Sequence, residues 1–292
     1  MSQTPHISPR TVPNVLSIAG TDPTGGAGIQ ADLKSFAAFS TYGMCVITAL
    51  VAQNTQGVRQ IHIPPLEFLR AQLDAVSDDV AVDAVKTGML GTTGIIETVE
   101  QWWDDTYGAA GPVLVVDPVM VATSGDRLLE AEAEEALIRF LDRADLITPN
   151  APELALIAGA PPADSDAELV RQAEQVADTH DVVVLAKGGH LTDDDVVDTL
   201  VFPACDGARP AAYSLASPRV QTRNTHGTGC SVSAAFTALR ARGFTWNAAL
   251  DEVKPWVTAA LEQSEHLEVG EGHGPIHHFA EYSKHSSPCA SG

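Results

Sequence analysis

Val15-Leu16-Ser17-Ile18-Ala19-Gly20-Thr21-Asp22-Pro23-Thr24-Gly25-Gly26-Ala27-Gly28-Ile29-Gln30-Ala31-Asp32-Leu33 is the stretch that decides the fold class. It joins a short apolar run, Val15–Ala19, to a glycine-rich loop and a helical pattern that continues to Ser40. That unit repeats along the chain. Further strands are expected at Met44–Ala52, Val82–Lys86, Val113–Asp117, Leu146–Thr148, Val182–Ala186, Val196–Phe202 and Tyr213–Ser217. Helical patterns cover Leu66–Val76, Thr93–Asp104, Ala131–Leu141, Ala151–Ile157, Ala167–Asp178, Gly229–Arg242 and Trp246–Leu267. Pro65 and Pro152 stand where a first helical turn accepts proline. Such alternation predicts parallel β-α-β units and an α/β fold. No internal repeat or inter-domain linker interrupts it. The expected organisation is a flexible extension over 1–13, one domain over 14–280 and a tail over 281–292.

Composition narrows the function classes. A chain of 292 residues can bury a substantial single core, and 45% hydrophobic content excludes a largely disordered protein. With 38 acidic against 17 basic residues the net charge is −21, and the isoelectric point lies near 4.6. Electrostatically driven binding to nucleic acid or anionic membrane is excluded as a main activity. The four cysteines, Cys45, Cys205, Cys230 and Cys289, show no Cys-x-x-Cys spacing, so neither a disulfide framework nor a zinc site is expected. The N-terminus lacks a charged-then-apolar secretory pattern. The longest apolar run, Val46 to Ala52, reads as a buried strand and is far short of a membrane span. A cytoplasmic protein is expected.

Asn224-Thr225-His226-Gly227-Thr228-Gly229-Cys230 carries the strongest chemical signal. A Gly-Thr-Gly turn at a helix start presents backbone N–H groups at the positive end of the helix dipole, an arrangement that binds phosphate. Cys230 follows at once, where the same dipole is expected to depress a thiol pKa. An acidic protein acting on anions gathers its few cations at the site, which draws attention to Lys187. Other polar groups also fall just past strand ends, where this kind of fold places its chemistry. They include Asp117-Pro118-Val119-Met120, Thr148-Pro149-Asn150 running into Pro152-Glu153, and Ala186-Lys187-Gly188-Gly189-His190. The loop over 20–28 is no dinucleotide fingerprint, because it is too long, carries Asp22, and no acidic residue ends the second strand run. It is no Walker A loop either, since no Gly-Lys-Ser/Thr closes it.

Taken in order, these segments resemble the ribokinase superfamily, and within it the hydroxymethylpyrimidine/phosphomethylpyrimidine kinases of thiamine biosynthesis. The resemblance covers roughly residues 14–280. It rests on Ala19–Lys34, Thr48–Thr55, Lys86–Leu90, Asp117–Met120, Thr148–Glu153, Lys187–His190 and Asn224–Cys230, with Gly272–Phe279 in keeping. It implies a ribokinase-like open, mostly parallel sheet flanked by helices on both faces, and phosphoryl transfer from ATP with Mg²⁺. The acceptors implied are 4-amino-5-hydroxymethyl-2-methylpyrimidine and then its monophosphate. A homodimer is the expected assembly. Many relatives carry Asp where this chain has Cys230, and the pyrimidine kinases characteristically have Cys.

Phosphoryl transfer depends on positioning and charge stabilisation, which distributes the roles. Gly227, Thr228 and Gly229 form the anion hole, and Cys230 either takes the hydroxymethyl proton or orients that group. Lys187 reaches the nucleotide phosphates, with Asn150 and Thr225 also on the ATP side. Asn150 and Glu153 resemble the superfamily's Asn-x-x-Glu element, which implies Glu153 as a Mg²⁺ holder, commonly through water, with Asp117 as a second metal candidate; Asn150 also reads as a helix N-cap and Asp117 as a strand end. Gln53 offers a donor and an acceptor that match an aminopyrimidine edge. The resemblance places Gly20, Asp22, Ala27 and Met89 around the ring, Met89 being equally a core residue. His226 receives no chemical step, Asp193-Asp194-Asp195 reads as a solvated turn, and His277-His278 reads as a surface tail. Two alternatives stay open: a pyridoxal/pyridoxine kinase, and a non-catalytic pyrimidine- or nucleotide-binding protein.

Overall fold

Alternate residues of the first strand, β1 (Asn14–Ala19), point to opposite faces: Leu16 and Ile18 to one, Val15 to the other. A computed structural model of the protein describes residues 10–120, 128–190, 194–204 and 211–280. The extension over 1–13 is described only from residue 10, where Arg10 pairs with Asp83 at 2.8 Å. The tail over 281–292, with Cys289, and Cys205 and Asp193 lie outside the described residues.

After β1 come β2 (Tyr42–Ile47), β3 (Leu50–Asn54), β4 (Gly57–His62), β5 (Ala84–Thr87), β6 (Val113–Val116), β7 (Leu146–Ile147), β8 (Val183–Lys187), β9 (Asp195–Val201) and β10 (Ala212–Pro218). Eight of them form one sheet in the order β10-β9-β8-β7-β6-β5-β1-β2. Every pairing from β2 to β8 is parallel, and β9 and β10 add antiparallel. The sheet is therefore mostly parallel, but Val196–Phe202 and Tyr213–Ser217 are not β-α-β units. Strand β9 turns back from β8 without a crossover helix.

Both faces are covered. Leu16, Ile18, Val85, Leu114, Val116, Ile147 and Val184 pack in one core beneath α2 (Leu66–Ser77), α3 (Thr93–Thr106), α4 (Glu134–Phe140), α5 (Ala151–Ala158) and α6 (Asp166–His180). Val15, Ala84, Val113, Val115, Leu146, Val183 and Leu185 pack in another beneath α1 (Gly28–Ala38), α7 (Thr228–Ala241) and α8 (Trp246–Glu262). Strands buried on both sides read as continuous apolar runs, which is why the sequence shows them so plainly. A Leu16→Ala cavity would cost about 2–5 kcal/mol.

The expected single strand Met44–Ala52 is instead two. The Thr48 backbone N–H donates to Ala19 O and its hydroxyl to Met89 O, and Val51 N–H donates to the Thr21 hydroxyl. These bonds draw the chain across the top of β1, and β3 leaves the main sheet to pair antiparallel with β4. Sequence patterning missed β4 because its outer residues are exposed and the strand has no buried face to reveal it. His277-His278 is not a surface tail either. His226 pairs with Pro275, and Ile276 and His278 are buried. Among the described residues no helix is long and apolar enough to cross a membrane.

Candidate functional site

The parallel strands β1, β5, β6, β7 and β8 all end at the mouth of one cavity of about 790 Å³. On its β1 side stand Gly20, Ala27, Gln53 and Met89. Lys187, Asp117, Asn150 and Glu153 line it together with Thr225 and the segment Gly227–Cys230, and beyond β8 the wall becomes Val196, Val220, Val257 and Leu261. Residues scattered from 20 to 230 in the sequence thus meet in one chamber.

Helix α7 begins at this cavity for a local reason. Gly227 has φ +79°, and a Cβ there would collide with the Gly26 carbonyl, so the turn closes only with glycine. The Thr228 N–H and hydroxyl both bond to Thr225 O, at 3.2 and 2.7 Å, and Ser231 N–H bonds to Gly227 O at 2.9 Å. That leaves the N–H groups of Gly229 and Cys230 to face an anion. Lys187 stands over them: a Cβ on Gly229 would lie 3.5 Å from its Nζ. The same Nζ is 3.6 Å from Asp117 Oδ1.

Asp117 is buried and receives the Thr148 hydroxyl at 2.9 Å and the Ser233 hydroxyl at 3.3 Å. Asn150 and Glu153 form a capping box at the start of α5. Asn150 Oδ1 accepts Glu153 N–H, and Glu153 Oε2 accepts Asn150 N–H, both at 2.9 Å. The N-cap role of Asn150 is thus real and still leaves Glu153 Oε1 turned to Met120 N–H at 3.4 Å. Burial, with Asp117 adding, pushes the Glu153 carboxyl up to about 7, and only Lys187 and two backbone N–H groups oppose it. A pair of buried carboxylates short of positive charge suits a hard divalent cation. Among the described residues no group of three or more His, Cys, Asp and Glu encloses a metal, so water and ligand oxygens would have to complete its shell.

Cys230 departs from expectation. It is partly exposed, yet withdrawal from water pushes its thiol up to about 11, with Asp32 and Asp117 adding and the Lys86 ammonium and the Gly28 backbone opposing. The depressed thiol predicted from the helix dipole is not what the surroundings produce; Cys230 is a neutral thiol.

Asp22 also departs. It is fully buried and absent from the cavity wall. Its carboxylate accepts Thr24 N–H and hydroxyl, Gly26 N–H, Ala27 N–H and the His226 ring at 2.7 to 3.0 Å. Burial opposes ionisation, but His226 and Thr24 hold the carboxyl well below the usual carboxylate range. Asp22 therefore shapes the loop after β1 and ties it to the phosphate turn through His226. Met89 does line the cavity: its Sδ would be 3.3 Å from a Cβ on Gly20. Gln53 sits at the irregular step in β3 between Ala52 and Gln53. Asp194 and Asp195 are exposed, in keeping with a solvated turn.

Sequence reasoning missed a buried ion pair beneath the site. Lys86 Nζ lies 2.8 Å from both oxygens of Asp32, which also receives the Ser17 hydroxyl at 2.5 Å, and all three residues are fully buried. Asp32 and the other carboxylates hold the ammonium charged despite burial. The available signal was a polar residue set into each of two apolar strand runs, Ser17 in the first and Lys86 at the end of Val82–Lys86, with Asp32 on the helix α1 that packs against them.

The family model described as phosphomethylpyrimidine kinase matches residues 22–277. A hydroxymethylpyrimidine/phosphomethylpyrimidine kinase from Salmonella typhimurium is 47% identical over 91% of this chain and 97% of its own. A thiamine biosynthesis multifunctional protein, ThiED, from Corynebacterium glutamicum is 52% identical over 92% of this chain, which spans only 34% of that longer protein. Among solved structures, a pyridoxal kinase from Bacillus subtilis in an ADP complex superposes with a TM-score of 0.82 at 33% identity, covering 93% of this chain and 99% of the other.

Proposed function

This chain belongs to the phosphomethylpyrimidine kinase family, a family of kinase enzymes, and on that premise we propose that it phosphorylates 4-amino-5-hydroxymethyl-2-methylpyrimidine and then the monophosphate, using ATP. The observation that carries the reading is the meeting of the Gly227–Cys230 turn, Lys187, Asp117 and Glu153 in the same cavity as Gln53. In the first transfer the hydroxymethyl oxygen attacks the γ-phosphorus as the bond to the β–γ bridging oxygen breaks, ADP leaves, and the hydroxyl proton passes to a phosphoryl oxygen or to water; in the second, a phosphate oxygen of the monophosphate attacks in the same way. Backbone N–H groups of Gly229 and Cys230, with Lys187, meet the charge on the transferred group. Cys230, as a thiol, orients the acceptor hydroxyl. Asp117 and Glu153 are the residues that would hold Mg²⁺, directly or through water. When bound, that ion neutralises phosphate charge. Gln53 pairs with the aminopyrimidine edge, while Gly20, Ala27 and Met89 frame the ring.

The acceptor is tested by ADP release with hydroxymethylpyrimidine, its phosphate, pyridoxal and pyridoxine as separate substrates. Release with the first two supports the proposal. Release confined to the pyridines would establish the second reading, pyridoxal kinase, which the likeness to the Bacillus enzyme favours. A cytoplasmic homodimer with one domain over 14–280 completes the reading. Leu50, Ile61, Ile63 and Phe68 form exposed apolar surface on and beside the β3–β4 hairpin that suits a second copy.

A further inference from the structure

Residues 270–278 cross from the β3–β4 hairpin to the start of α7, and nothing in the proposed chemistry uses them. Gly272 N–H donates to the Thr55 hydroxyl at 3.1 Å and His273 N–H to Thr55 O at 2.9 Å. Further on, Gly274 O accepts His226 N–H at 3.0 Å, and a Cβ on Gly274 would collide with the Asn224 side chain. The strap ends on His278. Its Nε2 lies 2.8 Å from Ser231 Oγ, and that oxygen lies 2.8 Å from Gly227 O. Ser231 is fully buried and His278 nearly so. Gly227 O therefore takes its contacts from inside the protein, from Ser231 N–H and the Ser231 hydroxyl.

We propose that His278 is a positioning residue for phosphoryl transfer: its hydrogen bond to Ser231 holds the first turn of α7, and so the N–H groups of Gly229 and Cys230, in register with the transferred phosphoryl. This rests on the kinase reading above. The groups facing the ring agree with an uncharged partner. Burial, Lys34 and His277 together push the His278 pKa down to about 3, against the Ile276 backbone. The ring lies 6.1 Å from the Trp256 ring of α8, centroid to centroid, at an interplanar angle of 56°. A turn that must meet a transition state tolerates little displacement, so a bond two steps removed from the phosphate still governs rate.

The test is a double-mutant cycle on kcat and KM with hydroxymethylpyrimidine, using His278→Phe, Ser231→Ala, the double variant and His278→Gln. We expect His278→Phe to lower kcat by roughly 3- to 10-fold with pyrimidine KM nearly constant. Ser231→Ala should do the same, the double variant should be no worse than either single one, and His278→Gln should recover most of the rate. Independent, multiplying losses in the double variant, or full kcat in His278→Phe, would overturn the proposal. If His278→Phe does not fold, Ser231→Ala against Ser231→Ala/His278→Gln decides it, since a glutamine with no serine to bond should restore nothing. An inactive but folded wild type would instead refute the kinase reading, so the two failures are distinct.

Discussion

On the phosphate side of the cavity Asp117 and Glu153 are buried, Lys187 is nearly so, and the Gly227 turn admits no side chain. On the side proposed for the pyrimidine, Gln53 sits on a two-stranded hairpin whose Leu50 and Ile61 are exposed and which, among the described residues, pairs with no strand of the main sheet. The contrast teaches where each kind of change is tolerated. Charges and backbone dipoles act strongly where water is excluded, but they must be held rigidly, so the sheet and the helix ends hold them. A recognition edge needs one well-placed amide, and a partly exposed hairpin outside the main sheet can carry it. Substitutions on the phosphate side should therefore cost rate or pH tolerance, and those on the pyrimidine side should cost affinity.

The largest effect is expected at Lys187. Lys187→Ala should lower kcat by about 10²–10³-fold, because it removes a fixed charge from the transferring phosphoryl. Asp194→Ala, on the exposed turn nearby, should leave steady-state rates unchanged. Equal losses in the two would erase the distinction between held and solvated charge.

Glu153 sharpens the same side through pH. Its carboxyl is raised from 4.5 to about 7, so between those values the native protein keeps a proton that the unfolded chain has released. Stability should then fall as pH rises through that window, by up to roughly 3 kcal/mol. Urea unfolding of the metal-free protein at pH 5 and pH 7.5 measures the drop, and Glu153→Gln should flatten it. An unaltered slope in the variant would mean that Glu153 titrates as an ordinary surface carboxylate.

On the pyrimidine side, Gln53→Ala should leave a buried ring edge unpaired and weaken the acceptor by about 1–3 kcal/mol. The loss should appear in acceptor KM, with ATP binding unmoved. A loss of ATP affinity instead would put Gln53 at the wrong end of the cavity.

The smallest effect is expected at Cys230, which stands between the two sides. A thiol held near 11 is protonated at working pH, so Cys230→Ala should cost less than the ~10²-fold that loss of a general base would bring. Alkylation by iodoacetamide should keep accelerating as pH rises past 9. A plateau near neutrality would restore the thiolate that the helix dipole suggests.

Most of the fold was legible because the central strands are buried on both faces and read as unbroken apolar runs. Among the described residues the eight α-helices begin within a few residues of the expected positions, and at four of them Thr92, Asn150, Ser165 and Thr245 accept N-cap hydrogen bonds. The hairpin β3–β4 escaped, since Val46–Ala52 is equally apolar whether the chain runs straight or bends at Thr48. Residues with motif spacing, such as Lys187, Asn150 and Glu153, do meet at the cavity, and residues defined by long-range contacts carried no such signal. Lys86 looked like a strand end, and His278 looked like part of a tail.

The sequence by itself determined the α/β class, the central parallel strands, the helices that cover them, and the glycine turn at the start of α7. Each of these is a local matter: periodicity, a capping pattern, or a glycine turn at a helix start. Tertiary structure alone decided that Asp22 is buried against His226, that withdrawal from water raises the Cys230 thiol, and that His278 reaches Ser231. The partners in these cases lie 204 positions apart for Asp22 and His226 and 47 apart for Ser231 and His278. Ionisation of Cys230 and Glu153 depends on water excluded by neighbours from several elements. Burial and long-range pairing are properties of the packed chain, and no local pattern encodes them.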